Sequence, residues 1–162
     1  MISFARLFLS GTRLAIGDPA RAGEGFERVL RGRSGCWDAY ADTAHLGAGL
    51  GERIAALTLV HGSHTPDTRI DRRSWLMPID SGLCGFYDAG RLDGLDDTTY
   101  ARGVLDVAYH DRRAFALDDA GVIARTGLGY GSYQLFLGID AADHVIAARV
   151  PFLDQPADAG RA

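Results

Sequence analysis

An alternation of side chains near the C-terminal end constrains the fold more than any other feature of this sequence. Large apolar residues recur at every second position over residues 133–139, namely Tyr133, Leu135, Leu137 and Ile139. An extended strand places every second side chain on one face. A turn at residues 140–144 separates this segment from a second alternating one at 145–152. The two segments therefore predict an antiparallel hairpin.

Composition favours strands and turns over helices in the rest of the chain. All 17 basic residues are Arg, only three of the 21 acidic residues are Glu, and there are 21 Gly. Lys and Glu are typical of helix surfaces, whereas Asp and Gly are typical of turns. A chain of 162 residues has the length of one compact domain. We predict an α+β, mainly antiparallel β fold, a sheet or sandwich over residues 1–153, with a flexible tail at 154–162.

Local patterns divide the remaining sequence into short elements. Extended segments are predicted at residues 2–9, 12–16, 36–40, 53–60 and 79–87, and a second hairpin pairs 113–117 with 122–125. Helical spacing predicts two short helices at about 24–31 and 97–109, the second capped by Asp96 or Asp97. The polar run 61–74 is typical of a surface loop. The sequence shows no internal repeat.

Two glycine triplets invite comparison with nucleotide-binding loops. They are Gly47-x-Gly49-x-Gly51 and Gly127-x-Gly129-x-Gly131. A dinucleotide-binding loop leads into a helix whose N-terminus holds the pyrophosphate. Both triplets lead instead into strand-like sequence. We therefore interpret them as turns or bulges and predict no cofactor.

Candidate catalytic and metal-binding residues form no complete motif. His61 and His64 could share a metal ion with Asp67, but their spacing matches no helical zinc motif and favours a solvated loop. We predict no metal. Ser81 could act as a nucleophile beside Asp80, yet the Gly-x-Ser-x-Gly elbow is absent. Asp80-Ser81-Gly82 is better interpreted as a turn that bonds its own backbone.

Charge and apolar content exclude several classes of protein. A net charge of -4 argues against a general nucleic-acid binder, which would present a basic face. No apolar run reaches the roughly 18 residues of a membrane-spanning helix. The start of the chain lacks the features of a secretory leader, so we expect a reducing cytoplasm. In that compartment Cys36 and Cys84 are predicted to be buried free thiols.

Several segments together resemble one bacterial family. They are Asp80-Ser81-Gly82-Leu83-Cys84-Gly85-Phe86-Tyr87-Asp88, then Gly127-Leu128-Gly129-Tyr130-Gly131-Ser132-Tyr133, and a closing hairpin that ends at Phe152. Over residues 79–152 the chain resembles the uncharacterised DUF4241-like group, which has an Asp-Ser-Gly motif and a Gly-Asp-Gly turn. The resemblance implies a hairpin-rich fold and carries no activity.

The chain departs from the pattern of that family at two places. Tyr130 stands where the family has the aspartate of Gly-Asp-Gly, and Ala20-Arg21 follows Asp18-Pro19 where the family has Cys-Tyr. If the aspartate were catalytic or a metal ligand, this protein should lack that activity. If it only shaped the turn, tyrosine is tolerable there.

Three functions remain open. We expect a non-catalytic binding protein, a cytoplasmic immunity or inhibitor protein that neutralises a bacterial toxin by direct contact. Its partner-binding residues would be the aromatic Trp75, Tyr130 and Tyr133 and the acidic Asp80, Asp96 and Asp97. One alternative is a small-ligand-binding or regulatory domain in which Arg72, Arg73 and His64 bind an anion. The other is a hydrolase that uses Asp80 and Ser81.

Overall fold

The computed structural model describes residues 2–65, 70–92, 102–104, 114–118 and 120–153. Over these residues the fold is mainly antiparallel β with short helical segments, which confirms the predicted fold class. The strands are β1 (Ile2–Leu9), β2 (Arg13–Gly17), β3 (Glu27–Arg31), β4 (Gly35–His45), β5 (Glu52–His61), β6 (Asp71–Ile79), β7 (Leu83–Asp88), β8 (Ala114–Leu117), β9 (Gly121–Arg125), β10 (Gly131–Ile139) and β11 (Val145–Pro151). A 3₁₀ helix at Pro19–Arg21 follows β2, and a short helix α1 (Ala89–Leu92) follows β7.

The strands form two sheets that share one core. The order is β1-β4-β5-β11-β10-β6 in the six-stranded sheet and β3-β2-β7-β9-β8 in the five-stranded sheet. Trp37 and Leu7 of the first sheet belong to the same buried cluster as Phe86 and Ile16 of the second. The two inner faces therefore pack against each other as a β-sandwich.

Both predicted hairpins form. β10 pairs with β11 through Phe136↔Arg149, and β8 pairs with β9 through Ala116↔Val122. The strands predicted at the start and middle of the chain are present as β1, β2, β4 and β5. Each glycine triplet leads into a strand, β5 or β10, as the sequence predicts.

The helix predicted at residues 24–31 is wrong, because most of this segment forms strand β3. Val29 pairs with Ala15 of β2, and Leu30 pairs with Leu14. Three apolar residues at helical spacing bury too little surface to hold a short helix, and the ladder to β2 satisfies the backbone instead.

The second predicted helix, at residues 97–109, lies mostly outside the described residues. Residues 102–104 are helical. The proposed caps Asp96 and Asp97 lie outside the described part, as does the tail at 154–162.

Two predicted boundaries are also wrong. The loop predicted at residues 61–74 ends earlier, since β6 begins at Asp71. The single strand predicted at 79–87 is two strands, because the chain passes from one sheet to the other at Asp80-Ser81-Gly82. Gly82 has a φ of 75°, a left-handed conformation that glycine adopts without strain. Apolar residues flank this turn on both sides, so the sequence pattern does not reveal the change of sheet.

Apart from β8, the sandwich consists of two halves with the same strand order, a structural repeat that the sequence does not show. In the six-stranded sheet, β1, β4 and β5 lie in that order from one edge to the centre. From the other edge to the centre the order is β6, β10 and β11. In the five-stranded sheet, β2 and β3 correspond to β7 and β9. The central pairs β5–β11 and β2–β7 are antiparallel, as a pseudo-twofold axis between the halves requires.

The strand registers of the two halves match over most of their length. The equivalent pairs include Leu9↔Gly35 with Ile79↔Gly131, and Leu7↔Trp37 with Met77↔Tyr133. The ladder between β4 and β5 shifts after Asp42, and the ladder between β10 and β11 shifts after the equivalent Gly138. The outer ladders differ by one residue at their far ends, where Ala41 pairs with Ile2 but the equivalent Leu137 pairs with Asp71. Outside those ends, paired residues of one half can be assigned counterparts in the other.

Trp37 and Tyr133 show that side-chain roles are also repeated. The indole Nε1 of Trp37 donates to the carbonyl of Arg33 at 3.0 Å, and the hydroxyl of Tyr133 donates to the carbonyl of Gly129 at 2.7 Å. Each carbonyl belongs to the residue four positions earlier. Each ring also makes an edge-on contact at the end of the neighbouring strand, Trp37 with His61 and Tyr133 with Phe152.

Candidate functional site

Asp18 joins the two halves through a buried carboxylate. Its side chain is fully buried. Oδ2 accepts hydrogen bonds from the backbone N–H groups of Asp80 and Ser81 at 2.8 and 2.7 Å. Oδ1 accepts from the Ser81 hydroxyl at 2.6 Å and from the N–H of Ala20 at 3.0 Å. We call this arrangement the Asp18 clamp. It fixes the turn between β6 and β7 against the 3₁₀ helix after β2.

Asp88 forms the equivalent clamp in the other direction. Its Oδ2 accepts from the backbone N–H and the hydroxyl of Ser10 at 2.8 and 2.7 Å, and Oδ1 accepts from the N–H of Gly90 at 2.9 Å. Burial raises the pKa of Asp88, but the hydrogen bonds from Ser10, Gly90 and Arg91 outweigh burial and hold the pKa below its ordinary value. Each half thus supplies a serine to the aspartate of the other half.

The duplicated clamps give Ser81 a structural role. Its hydroxyl donates to Asp18 and accepts the N–H of Leu83 at 3.2 Å. Ser10 makes the same kind of contact to Asp88 in the equivalent turn. These contacts favour the turn interpretation of Asp80-Ser81-Gly82, although the bonds run to Asp18 and not only to local backbone.

The loop that carries Tyr130 is fixed by its neighbours. The carbonyl of Gly129 accepts hydrogen bonds from the hydroxyls of Thr126 and Tyr133. The N–H of Thr126 donates to the carbonyl of Gly82 at 2.9 Å. A Cβ atom at Gly82 would lie only 3.4 Å from the Cα of Gly129, so the two turns pack backbone against backbone. The loop backbone is therefore tied to its surroundings at Thr126 and at Gly129.

Tyr130 itself projects from this loop into solvent. Its side chain is 82% exposed, and that of Leu128 on the same loop is 65% exposed. β6, which pairs with the strand that follows the loop, adds the exposed Trp75 and Leu76. We call Leu128 and Tyr130 the Tyr130 corner. Tyr133 is partly buried and supports the loop. The sequence pattern does not reveal that Leu128 and Leu76 are exposed.

Asp80 borders the Tyr130 corner and carries an exposed carboxylate. Its Oδ2 lies 3.2 Å from Nη1 of Arg21. Nε of the same arginine lies 2.8 Å from Oε2 of Glu24, and the guanidinium stacks over the ring of Phe26. Two carboxylates therefore share the guanidinium of Arg21.

The histidines proposed as metal ligands are hydrogen-bonded to the protein. His61 bonds the hydroxyl of Ser63 through Nδ1 and the carbonyl of Ser34 through Nε2, at 2.8 and 3.0 Å. Nδ1 of His64 lies 2.9 Å from the same Ser63 hydroxyl. Within the described ranges, no group of three or more His, Cys, Asp or Glu side chains could hold a metal ion. Asp67 and the side chains of Arg72 and Arg73 lie outside the description.

The two cysteines differ in exposure. Cys84 is buried and has no disulfide partner, as predicted, and its burial, with a smaller contribution from the nearby Asp18 charge, raises its thiol pKa far above the ordinary value. Cys36 is exposed, so the prediction that it is buried is wrong. Alternation along β4 explains the difference, because Trp37 takes the inward position and its neighbour faces out.

Comparisons with models of protein families, with characterised proteins and with solved structures found no match. The resemblance to the DUF4241-like group therefore stays a prediction. Among the residues described, no helix has the length and apolar character needed to cross a membrane.

Proposed function

We propose that this protein is a non-catalytic binding protein of the immunity or inhibitor class, which acts in the cytoplasm by direct contact with a toxin or effector protein. One observation carries the proposal. Tyr130 is an 82% exposed aromatic side chain on a loop whose backbone is already fixed. Energetically dominant contact residues in protein interfaces are enriched in tyrosine and are surrounded by residues that exclude water.

The fixed loop lowers the entropy cost of binding. A partner that buries Tyr130 immobilises only the side chain, because the backbone at Gly129 is held by Thr126 and Tyr133. Preorganisation of this kind raises affinity, because less conformational entropy is lost on binding. Leu128, beside it, supplies further apolar area that is now in water. The Tyr130 corner thus has the features of an anchor that enters an apolar pocket on a partner.

The surrounding charge supports a basic partner. Asp80 and Glu24 share Arg21, and the whole chain carries a net charge of -4. Complementary charges around an apolar contact steer the encounter and suppress wrong partners. The hydrolase alternative draws no support from Ser81, whose hydroxyl is held by Asp18.

The proposal is tested with the purified product of the toxin or effector gene that neighbours this one. We expect a stable complex by isothermal titration calorimetry and relief of the toxin's activity when the two are mixed. Tyr130→Ala should weaken the complex by roughly 30-fold, because truncating a dominant contact residue costs about 2 kcal/mol or more.

Phe8→Ala is the matched control. Phe8 is a 47% exposed aromatic side chain on β1, which forms the opposite edge of the six-stranded sheet from β6, the strand that pairs with β10 next to the Tyr130 loop. It should leave the affinity within about twofold. The proposal fails if the gene product forms no complex, or if Tyr130→Ala binds as tightly as the control.

A further inference from the structure

An open cleft lies at the end of the sandwich where three turns meet. It has a volume of about 570 Å³ and is lined by Thr12 from the β1–β2 turn, Arg33 and Ser34 from the β3–β4 turn, and Asp140, Ala141, Ala142 and His144 from the β10–β11 turn. Small-molecule sites occupy roughly 300–1,000 Å³ and combine a concave surface with a few convergent polar groups. The cleft has a volume in this range, and neither Leu128 nor Tyr130 lines it.

Two opposite charges face each other in this cleft without a direct hydrogen bond. Nη1 of Arg33 lies 3.9 Å from Oδ2 of Asp140. Oδ1 of Asp140 accepts the backbone N–H groups of Ala142 and His144, both at 2.9 Å. The backbone bond from His144 is the largest of the influences that hold the pKa of Asp140 below its usual value, so this carboxylate is charged at neutral pH. Oδ1 shapes the turn, and Oδ2 faces the arginine.

Thr12 and Ser34 also line the cleft. Ser34 is positioned through its carbonyl, which lies 3.0 Å from Nε2 of His61. The guanidinium of Arg33 suits a carboxylate, whereas Oδ2 of Asp140 suits an ammonium group.

The two equivalent ends of the sandwich differ in charge. By the register match, Gly129 corresponds to Arg33, Tyr130 corresponds to Ser34, and Ala44 corresponds to Asp140. The connections differ as well, because Ala44 lies within β4 whereas Asp140 begins the β10–β11 turn and accepts two of its N–H groups. The Arg33–Asp140 pair therefore belongs to this end alone and is not part of the repeated framework.

We infer that this cleft binds a small zwitterion of the α-amino-acid class, with its carboxylate on Arg33 and its ammonium on Oδ2 of Asp140. A purely anionic ligand would meet the charge of Asp140, and a purely cationic ligand would meet the charge of Arg33. A molecule that carries both charges on neighbouring atoms satisfies both side chains, and rejection of singly charged molecules gives the selectivity.

The test is a ¹H–¹⁵N NMR titration of the full chain with L-alanine as the probe, and with acetate and methylammonium as singly charged comparisons. We expect saturable shifts of the Ser34, Ala141 and Ala142 amides with L-alanine, and binding about tenfold weaker or worse for each comparison ion. Arg33→Gln and Asp140→Asn should each weaken L-alanine binding by about tenfold, since a hydrogen bond to a charged group is lost. Asparagine retains an Oδ1 that can accept the two turn N–H groups.

Arg6→Gln is the matched control, because Arg6 is also an exposed arginine paired to an aspartate, Asp38, at 3.0 Å. It should bind L-alanine as the wild type does. The inference is overturned if the cleft amides do not shift saturably, if acetate or methylammonium binds as well as L-alanine, or if Arg33→Gln binds like Arg6→Gln.

Discussion

Asp18→Asn should destabilise the fold far more than its conservative chemistry suggests. Both oxygens of the Asp18 carboxylate accept two hydrogen bonds, from Asp80 and Ser81 on Oδ2 and from Ser81 and Ala20 on Oδ1. An asparagine replaces one oxygen by an NH₂ group. In either orientation of the amide, that NH₂ group points at two donors, so two hydrogen bonds are lost and buried donors are left facing each other.

The expected cost follows from this count. A buried donor left without an acceptor costs about 1–3 kcal/mol, so the substitution should lower the free energy of unfolding by roughly 2–4 kcal/mol. That is a large share of the ~5–15 kcal/mol typical of a domain. For a chain of this size the melting temperature should fall by about 5–12 °C.

Equilibrium urea unfolding of the wild type and the variant measures this difference. Asp38→Asn is the control, because Asp38 pairs with the exposed Arg6 and such a pair contributes at most about 1 kcal/mol. Ser81→Ala, which removes one of the four bonds, should fall between the two. If Asp18→Asn unfolds at the same urea concentration as Asp38→Asn, the clamp is not a stabilising element and the reasoning is wrong.

Two further predictions concern titration and reactivity. The folded-state pKa of Asp88 lies below its unfolded value of about 3.9, so the stability that Asp88 contributes is present above that pH and is lost as the pH falls through the folded pKa. Asp88→Asn should therefore flatten the acid limb of a plot of unfolding free energy against pH. An unchanged acid limb would contradict this. The exposed Cys36 should react promptly with a disulfide reagent such as dithionitrobenzoate. Cys84 should react only in denaturant, since burial raises its thiol pKa and blocks access. Prompt reaction of two thiols per folded chain would contradict the structure.

The sequence predicted the parts of this fold that depend on neighbouring residues. The hairpins follow from alternation over a few residues, and the β10–β11 pair is the clearest example. The Asp18 clamp joins residues 63 positions apart, which no local pattern encodes. The segment of β3 has apolar residues at helical spacing, but its pairing with β2 makes it a strand, so the local pattern predicts the wrong element.

The internal repeat is not visible in the sequence for a related reason. Trp37 and Tyr133 keep the same hydrogen bond and the same edge-on ring contact, but they share size and polarity, not identity. At the candidate site, Tyr130 could be named from the sequence because an aromatic between glycines is conspicuous. The cleft could not, because Thr12, Arg33 and Asp140 come from three turns that only the folded sandwich brings together.

The pseudo-twofold has a consequence for assembly. The halves meet through two ladders, β5 with β11 and β2 with β7, and each ladder joins one strand from either side. Both ladders would form equally well if the two sides came from different molecules. Chains that refold at high concentration are therefore expected to trade halves, giving an entwined pair in which both ladders form between molecules.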